Sequence, residues 1–202
     1  MSIQDKEKWD SKYLKKTKLL EPREASKNLQ NSVKYAKGYE ALDLACGAGR
    51  NSIFLAQNGF NVDAIDIATI ALKALESEAL KKDVHSKINT YCTDLDIYEI
   101  KKNKYNFILM SNFLDRTLLK SAMYALKDEG ILFVETYMLS EENEKSPSNQ
   151  SYLLKSGELK SMLDNSWEIL HFDEFENEDY EIYKMKKQVL VAKKVKLSNK
   201  VF

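Results

Sequence analysis

Three observations predict an α/β protein built on a mostly parallel sheet with helices on both faces. Short apolar runs alternate with stretches of helical spacing along most of the chain, as strands linked by crossover helices do. The run Tyr105-Asn-Phe-Ile-Leu-Met110 is apolar almost throughout, which marks a strand covered on both faces. The run Ala41 to Ala45 stops abruptly at Gly47-Ala48-Gly49, and a helical pattern follows at once, giving strand, tight turn and helix N-terminus. The last two apolar runs have no helix between them, so a hairpin adding an antiparallel edge strand is expected. The predicted architecture is Rossmann-like, with seven strands, mostly parallel, and an antiparallel last strand.

Each element has its own signal. Trp9 and Tyr13 lie four residues apart in an amphipathic helix over 3–16. Ala25, Leu29, Val33 and Ala36 predict a helix over 24–37, ended by Gly38. Residues 40–45 form the first strand, and 50–58 its helix, closed by Gly59. Phe60 to Asp66 is the second strand. Ala71, Leu72, Leu75, Ala79 and Leu80 then share one side of a helix over 68–82. Ile88 to Thr93 is the third strand, with a short helix expected at 96–102. After strand four comes a helix over 114–127, then Gly130 and a fifth strand, Ile131 to Tyr137. Residues 138–155 are polar and aperiodic, and a helix follows at 156–164. Trp167 to Phe175 and Lys186 to Val195 are the final strands, around an acidic turn at 176–179. No repeat or long linker divides the chain. One domain is expected over 1–202, with 1–38 a helical lid segment and 39–202 the core.

Composition narrows the function. The 202 residues suffice for one sizeable core. Lys plus Arg (31) equals Asp plus Glu (31), so no basic excess points to direct nucleic-acid binding. Two cysteines, Cys46 and Cys92, are too few for a disulfide framework and suit a reducing compartment. The first eight residues lack the apolar core of a secretory signal, and no run approaches the ~18 apolar residues of a membrane span. A cytoplasmic protein is expected, without membrane contact and without a metal-ligand set.

The glycine turn carries the chemistry. A strand, a Gly turn and a helix start aim backbone N–H groups at a nucleotide-like ligand. A dinucleotide fingerprint wants a third Gly three places after Gly49, where Ser52 stands. That difference, with Asp43 inside the strand, points away from NAD and toward S-adenosylmethionine. Leu42-Asp43-Leu44-Ala45-Cys46-Gly47-Ala48-Gly49 resembles the first motif of class I S-adenosylmethionine-dependent methyltransferases.

In such a sheet the ligand lies beyond the carboxyl ends of the strands. Ala45 to Gly49 are small enough for backbone to approach a bulky group. Asp43 has two roles open to it: a structural carboxylate capping a nearby loop, or a direct or water-mediated ligand contact. Asp66, followed by Ile67, ends strand two, where an acid accepts hydrogen bonds from ribose hydroxyls; Asp63, earlier in the strand, competes for that role. The family resemblance assigns Asp94 to the adenine amino group and Leu95 to the ring, while Asp94 also suits an N-cap. Ser111 and the residues after it are expected to form the floor between cofactor and acceptor.

Trp9-Asp10-Ser11-Lys12-Tyr13 is similar to a Trp-Asp-x-x-Tyr segment of small-molecule methyltransferases, including the tellurite-resistance type. In that comparison the aromatics close over the methionine end of the cofactor, where a ring face suits a sulfonium. Their other reading is anchorage of the helix to the core. Gly49-Arg50-Asn51 resembles the same group, with Arg50 reaching the cofactor carboxylate or lying exposed. Asn112 to Leu119, Ile131 to Tyr137 and Leu153 to Leu159 resemble a bacterial subgroup of uncharacterised methyltransferases. Asn106 departs from the Asp that begins strand four in many members.

Methyl transfer mainly requires alignment and exclusion of water, and a general base only where the nucleophile loses a proton. No dyad is evident. His85 falls at the wrong end of the sheet and His171 within a strand. Tyr137, beside Glu135 and Thr136, is better placed; Asp115 and Arg116 either orient substrate or form a structural pair. A small-molecule acceptor is expected, with the 138–155 loop over the pocket. Two alternatives stay open: a protein or RNA acceptor reached through a partner, and a non-catalytic binder of the cofactor.

Overall fold

The computed structural model of the chain describes residues 3–145, 149–177, 181 and 183–196. Seven strands form one sheet in the order β3-β2-β1-β4-β5-β7-β6. They are β1 (Glu40–Leu44), β2 (Asn61–Asp66), β3 (Ile88–Cys92), β4 (Tyr105–Ser111), β5 (Leu126–Tyr137), β6 (Trp167–Glu176) and β7 (Lys186–Lys194). The first five run parallel to one another, and β7 runs antiparallel to both β5 and β6. Order reverses between β1 and β4, so a crevice opens at their carboxyl ends.

The hairpin expected at the C-terminus is present, but its antiparallel member is not the edge strand. β7 is inserted between β5 and β6. Burial explains the swap: Val189, Leu190, Val191 and Ala192 are buried on both faces, whereas no residue of β6 is fully buried. The more apolar strand takes the interior position.

Helices α1 (Ile3–Lys15), α2 (Lys27–Ser32), α3 (Arg50–Gln57), α4 (Thr69–Lys81), α5 (Arg116–Ala125) and α6 (Glu158–Ser161) flank the sheet. Ile53, Leu55, Leu72 and Leu75 cover one face, against Ala41, Val62, Phe107 and Phe133. Leu118, Leu119, Ala122 and Leu159 cover the other, against Leu42, Leu44, Ile108 and Leu190. Strands β1, β2, β4, β5 and β7 therefore send alternate residues into two cores.

Several expected helices are shorter or absent. The helix expected over 24–37 reduces to α2, because Ser26 caps it by accepting from Leu29 N (3.3 Å), and a tight 3-10 turn takes Val33–Tyr35. The helix expected at 156–164 reduces to α6, which starts at Gly157 with φ +68°. No helix forms at 96–102: the Asp94 carboxylate accepts from Asp96 N at 2.9 Å and closes a turn, and Asn103 adopts φ +52°. Positions 178 and 179 of the expected acidic turn, and 146–148 of the expected polar loop, lie outside the described residues. Asn106 accepts from Glu40 N at 3.4 Å and packs so closely on Gly38 that a Cβ there would lie 2.6 Å from its Cγ.

Candidate active site

The glycine turn is set by backbone geometry. Ala45 (φ +59°), Gly47 (+55°) and Gly49 (+79°) bend the chain out of β1 and into α3. A Cβ on Gly49 would lie 2.1 Å from Leu75 Cδ1, and one on Gly47 would lie 2.9 Å from the Tyr13 hydroxyl. Both positions therefore require the missing side chain. Cys46 N donates to Ile65 O at 2.9 Å, tying the turn to β2.

Asp66 holds the turn from the other side. Its Oδ2 accepts from Gly47 N at 2.7 Å and its Oδ1 from Ala68 N at 2.8 Å. Burial pushes its carboxyl above the ordinary value, against the opposing pull of those N–H groups. Asp63, its competitor, is engaged elsewhere: it accepts from Tyr105 Oη (2.7 Å), Asn89 Nδ2 (3.1 Å) and Lys104 Nζ.

A cavity of about 300 Å³ lies above this turn. Ala45 to Asn51 form one side, and Asp66, Ile67 and Leu95 a second. Ser111, Asn112 and Phe113 close the β4 end, and Tyr137 with Glu181 the β5 end. Trp9, Lys12 and Tyr13 of α1 form a roof, continued by Leu19, Glu21 and Arg23. The Trp9 and Tyr13 rings are 6.1 Å apart, and Lys12 Nζ sits 3.9 Å from the Trp9 ring centroid. Burial, with Asp66 nearby, pushes the Tyr13 phenol up.

The polar groups divide by role. Asn51 is buried, and its Oδ1 has no hydrogen-bond partner among the described residues. A buried acceptor left bare costs ~1–3 kcal/mol, and Asn51 lines the cavity. At the far end Tyr137 Oη donates to Glu181 Oε2 at 2.6 Å, and the wholly buried Lys187 places Nζ 3.0 Å from Glu181 Oε1.

Four residues singled out from sequence lie outside this wall. Asp43 is buried on the α3 side, where Ser52 Oγ donates to it at 2.6 Å; burial raises its carboxyl to about 7. Asp94 serves the turn that presents Leu95. Asp115 caps α5 by accepting from Leu118 N at 2.8 Å. Arg116 grips Glu158 through Nε (2.6 Å) and Nη2 (3.1 Å), and donates to the carbonyls of Ser151 (2.6 Å) and Leu153 (3.1 Å). Sequence reasoning passed over Lys12, Leu19, Glu21, Arg23 and Glu181. Lys12 stands within the Trp-Asp-x-x-Tyr segment, but the others sit in aperiodic stretches with no local signal.

The family described as "Tellurite resistance protein TehB" matches residues 1–197. The chain belongs to this family. A curated relative from Haemophilus influenzae (strain ATCC 51907 / DSM 11121 / KW20 / Rd) carries the name "Probable S-adenosyl-L-methionine-dependent methyltransferase TehB". It is 28% identical over 141 residues, 67% of this chain and 48% of that protein. The chain thus spans about half the length of the curated TehB relatives it matches, 48% in each. The crystal structure of TehB from Haemophilus influenzae superposes with a TM-score of 0.73 at 24% identity, covering 84% of this chain and 62% of that one. A SAM-dependent methyltransferase structure from Methanosarcina mazei gives 0.66 at 20% identity, covering 86% and 99%. These superpositions establish the class I methyltransferase fold.

Proposed function

We propose that this chain is an S-adenosylmethionine-dependent methyltransferase whose acceptor is a small molecule. The observation that carries the reading is one cavity uniting the Gly47–Gly49 turn, the Asp66 carboxylate and the bare Oδ1 of Asn51 beneath the aromatic pair of α1. The family's curated TehB relatives bear the name of such an enzyme, which supports it. Residues 1–38 then act as the lid of one domain and 39–202 as its binding core, in a reducing, cytoplasmic setting.

The cavity fits the cofactor. A Cβ at position 47 would project toward the Tyr13 hydroxyl of the roof, so its absence keeps that part of the cavity open to a ligand. Asn51 Oδ1 would accept from a ligand ammonium, and Arg50 of the turn side and Arg23 of the roof both line the cavity for a carboxylate. Asp66, anchored by two N–H groups, would hold the ribose diol, and Ile67 and Leu95 would flank the adenine. Trp9 and Tyr13 would present ring faces to the positive sulfur. Bound there, the cofactor supplies a methyl group on a sulfonium.

The remaining work falls to the chain. The roof of α1 excludes water, and orientation of this kind accounts for roughly 7–11 kcal/mol of a barrier in well-held cases. Ser111 to Phe113 and the Tyr137–Glu181 pair form the acceptor end. A nucleophile that sheds a proton would find its base there. Asp43, Asp115 and Arg116 we read as structural, which their hydrogen bonds support.

The test is titration with S-adenosylhomocysteine, followed by transfer of labelled methyl into a metabolite extract freed of macromolecules. Tight binding with label in small molecules supports the reading. Label confined to protein or RNA fractions would overturn the acceptor class, and absence of binding would overturn the whole. Asp66→Ala is expected to weaken binding far more than Asp63→Ala, whose cost falls on stability.

A further inference from the structure

The first N–H groups of α4 need acceptors from outside the helix. The residue before it, Ala68, carries no capping side chain. Asp10 of α1 supplies one from 60 residues away: its Oδ1 accepts from Ile70 N at 2.9 Å, while its Oδ2 takes Lys6 Nζ at 2.9 Å. A carboxylate there also answers the positive end of the helix dipole. Asp10 lies outside the cavity wall, yet Tyr13, three residues on, shares its helix face.

The contacts close a circuit. Tyr13 rests its hydroxyl against Gly47, Gly47 N donates to Asp66, and Asp66 takes Ala68 N at the root of α4. Ile70, two residues further, returns to Asp10 on the roof. None of the described α1 side chains is fully buried, so this helix has little apolar anchorage to hold it down. A hydrogen bond that would be one among many in the core therefore carries weight here.

We propose that Asp10 is a positioning residue that fastens α1 over the cofactor site, so that cofactor retention depends on a helix cap made outside the cavity. The inference rests on the methyltransferase reading for its cofactor, but not for the fastening itself. Two readouts on the full chain separate them. The first is S-adenosylhomocysteine affinity and dissociation rate for the wild type, Asp10→Ala and Asp10→Asn. Loss of one cap predicts roughly fivefold weaker binding for Asp10→Ala, expressed as faster dissociation. Asp10→Asn keeps an acceptor oxygen and is expected to stay within about twofold of the wild type.

The second readout needs no ligand: tryptic cleavage after Lys6, Lys8, Lys12, Lys15 and Lys16 under native conditions. Cleavage is expected to accelerate in Asp10→Ala and to be restored in Asp10→Asn, while the urea midpoint falls by no more than the loss of one helix cap. Wild-type affinity and wild-type cleavage in Asp10→Ala would overturn the proposal, as would failure of Asp10→Asn to rescue. If the wild type bound no S-adenosylhomocysteine, the methyltransferase reading would fall, and cleavage alone would decide whether Asp10 holds α1.

Discussion

Replacing Gly49 by Ala tests the geometry of the turn, because two separable costs meet at that position. The residue has φ +79°, where an L side chain costs about 1–2 kcal/mol. The new Cβ would also come within 2.1 Å of Leu75 Cδ1, 2.7 Å of its Cγ and 2.9 Å of its Cβ. The Cδ1 and Cγ atoms can move only by rotation of a wholly buried side chain, and Cβ moves only with α4 itself. Overpacking of that kind costs ~1–3 kcal/mol, so the total is about 2–5 kcal/mol. Gly157→Ala is the control. Its φ is +68° and no atom of the described residues lies within 4 Å of where its Cβ would stand, leaving the ~1–2 kcal/mol of backbone strain alone. Urea unfolding at 25 °C measures both. Gly49→Ala is expected to be the less stable variant by ~1–3 kcal/mol. Leu75→Ala costs ~2–5 kcal/mol by itself, but the methyl group introduced by Gly49→Ala would occupy part of the vacated space. The double variant is therefore expected to fall short of the sum by at least ~1 kcal/mol. Equal losses in Gly49→Ala and Gly157→Ala, or strict additivity with Leu75→Ala, would refute the steric argument.

Asp43→Asn tests the buried acid. Asp43 ionises near 3.8 when unfolded and near 7 when folded, so between those values the folded chain holds a proton the unfolded chain has released. Stability is thus lost as pH rises through that window, by up to ~4 kcal/mol, and Asn removes the loss. Urea midpoints at pH 5 and pH 8 are expected to diverge in favour of the variant, and parallel profiles would refute the assignment. Tyr137→Phe deletes the donor to Glu181 and is expected to lower turnover at least ~10-fold, with S-adenosylhomocysteine affinity within about twofold. A fall in affinity with unchanged turnover would move Tyr137 to the cofactor side. Arg116→Ala removes the clamp on Glu158 and on the Ser151 and Leu153 carbonyls. Because the side chain is partly exposed, a loss of only ~1–2 kcal/mol is expected in urea, with affinity for S-adenosylhomocysteine unaltered. A drop in affinity would contradict its structural assignment.

The parts of the molecule readable without coordinates are those written over a few adjacent residues. Tyr105 to Met110 reads as a covered strand because its side chains meet apolar neighbours on both faces, and Leu109 is wholly buried. Gly47 and Gly49 read as a turn because positive φ leaves few other residues unstrained. Asp66 is readable because chain order places it at the end of β2. The 96–102 segment misleads because Asp94 bonds to the backbone locally, and helical spacing alone does not register that competition.

Local sequence therefore determined the strands, the glycine turn and the acid beside it, since periodicity and turn chemistry act within a few residues. Tertiary structure decided the rest. It slid β7 inside β6, because only packing against β5 reveals which strand is better covered. It turned Asp43 and Arg116 to structural partners, and it brought Glu181 to Tyr137 across 44 residues and Asp10 to Ile70 across 60. Hydrogen bonds between distant segments depend on where the whole chain folds, and no short window of sequence encodes that.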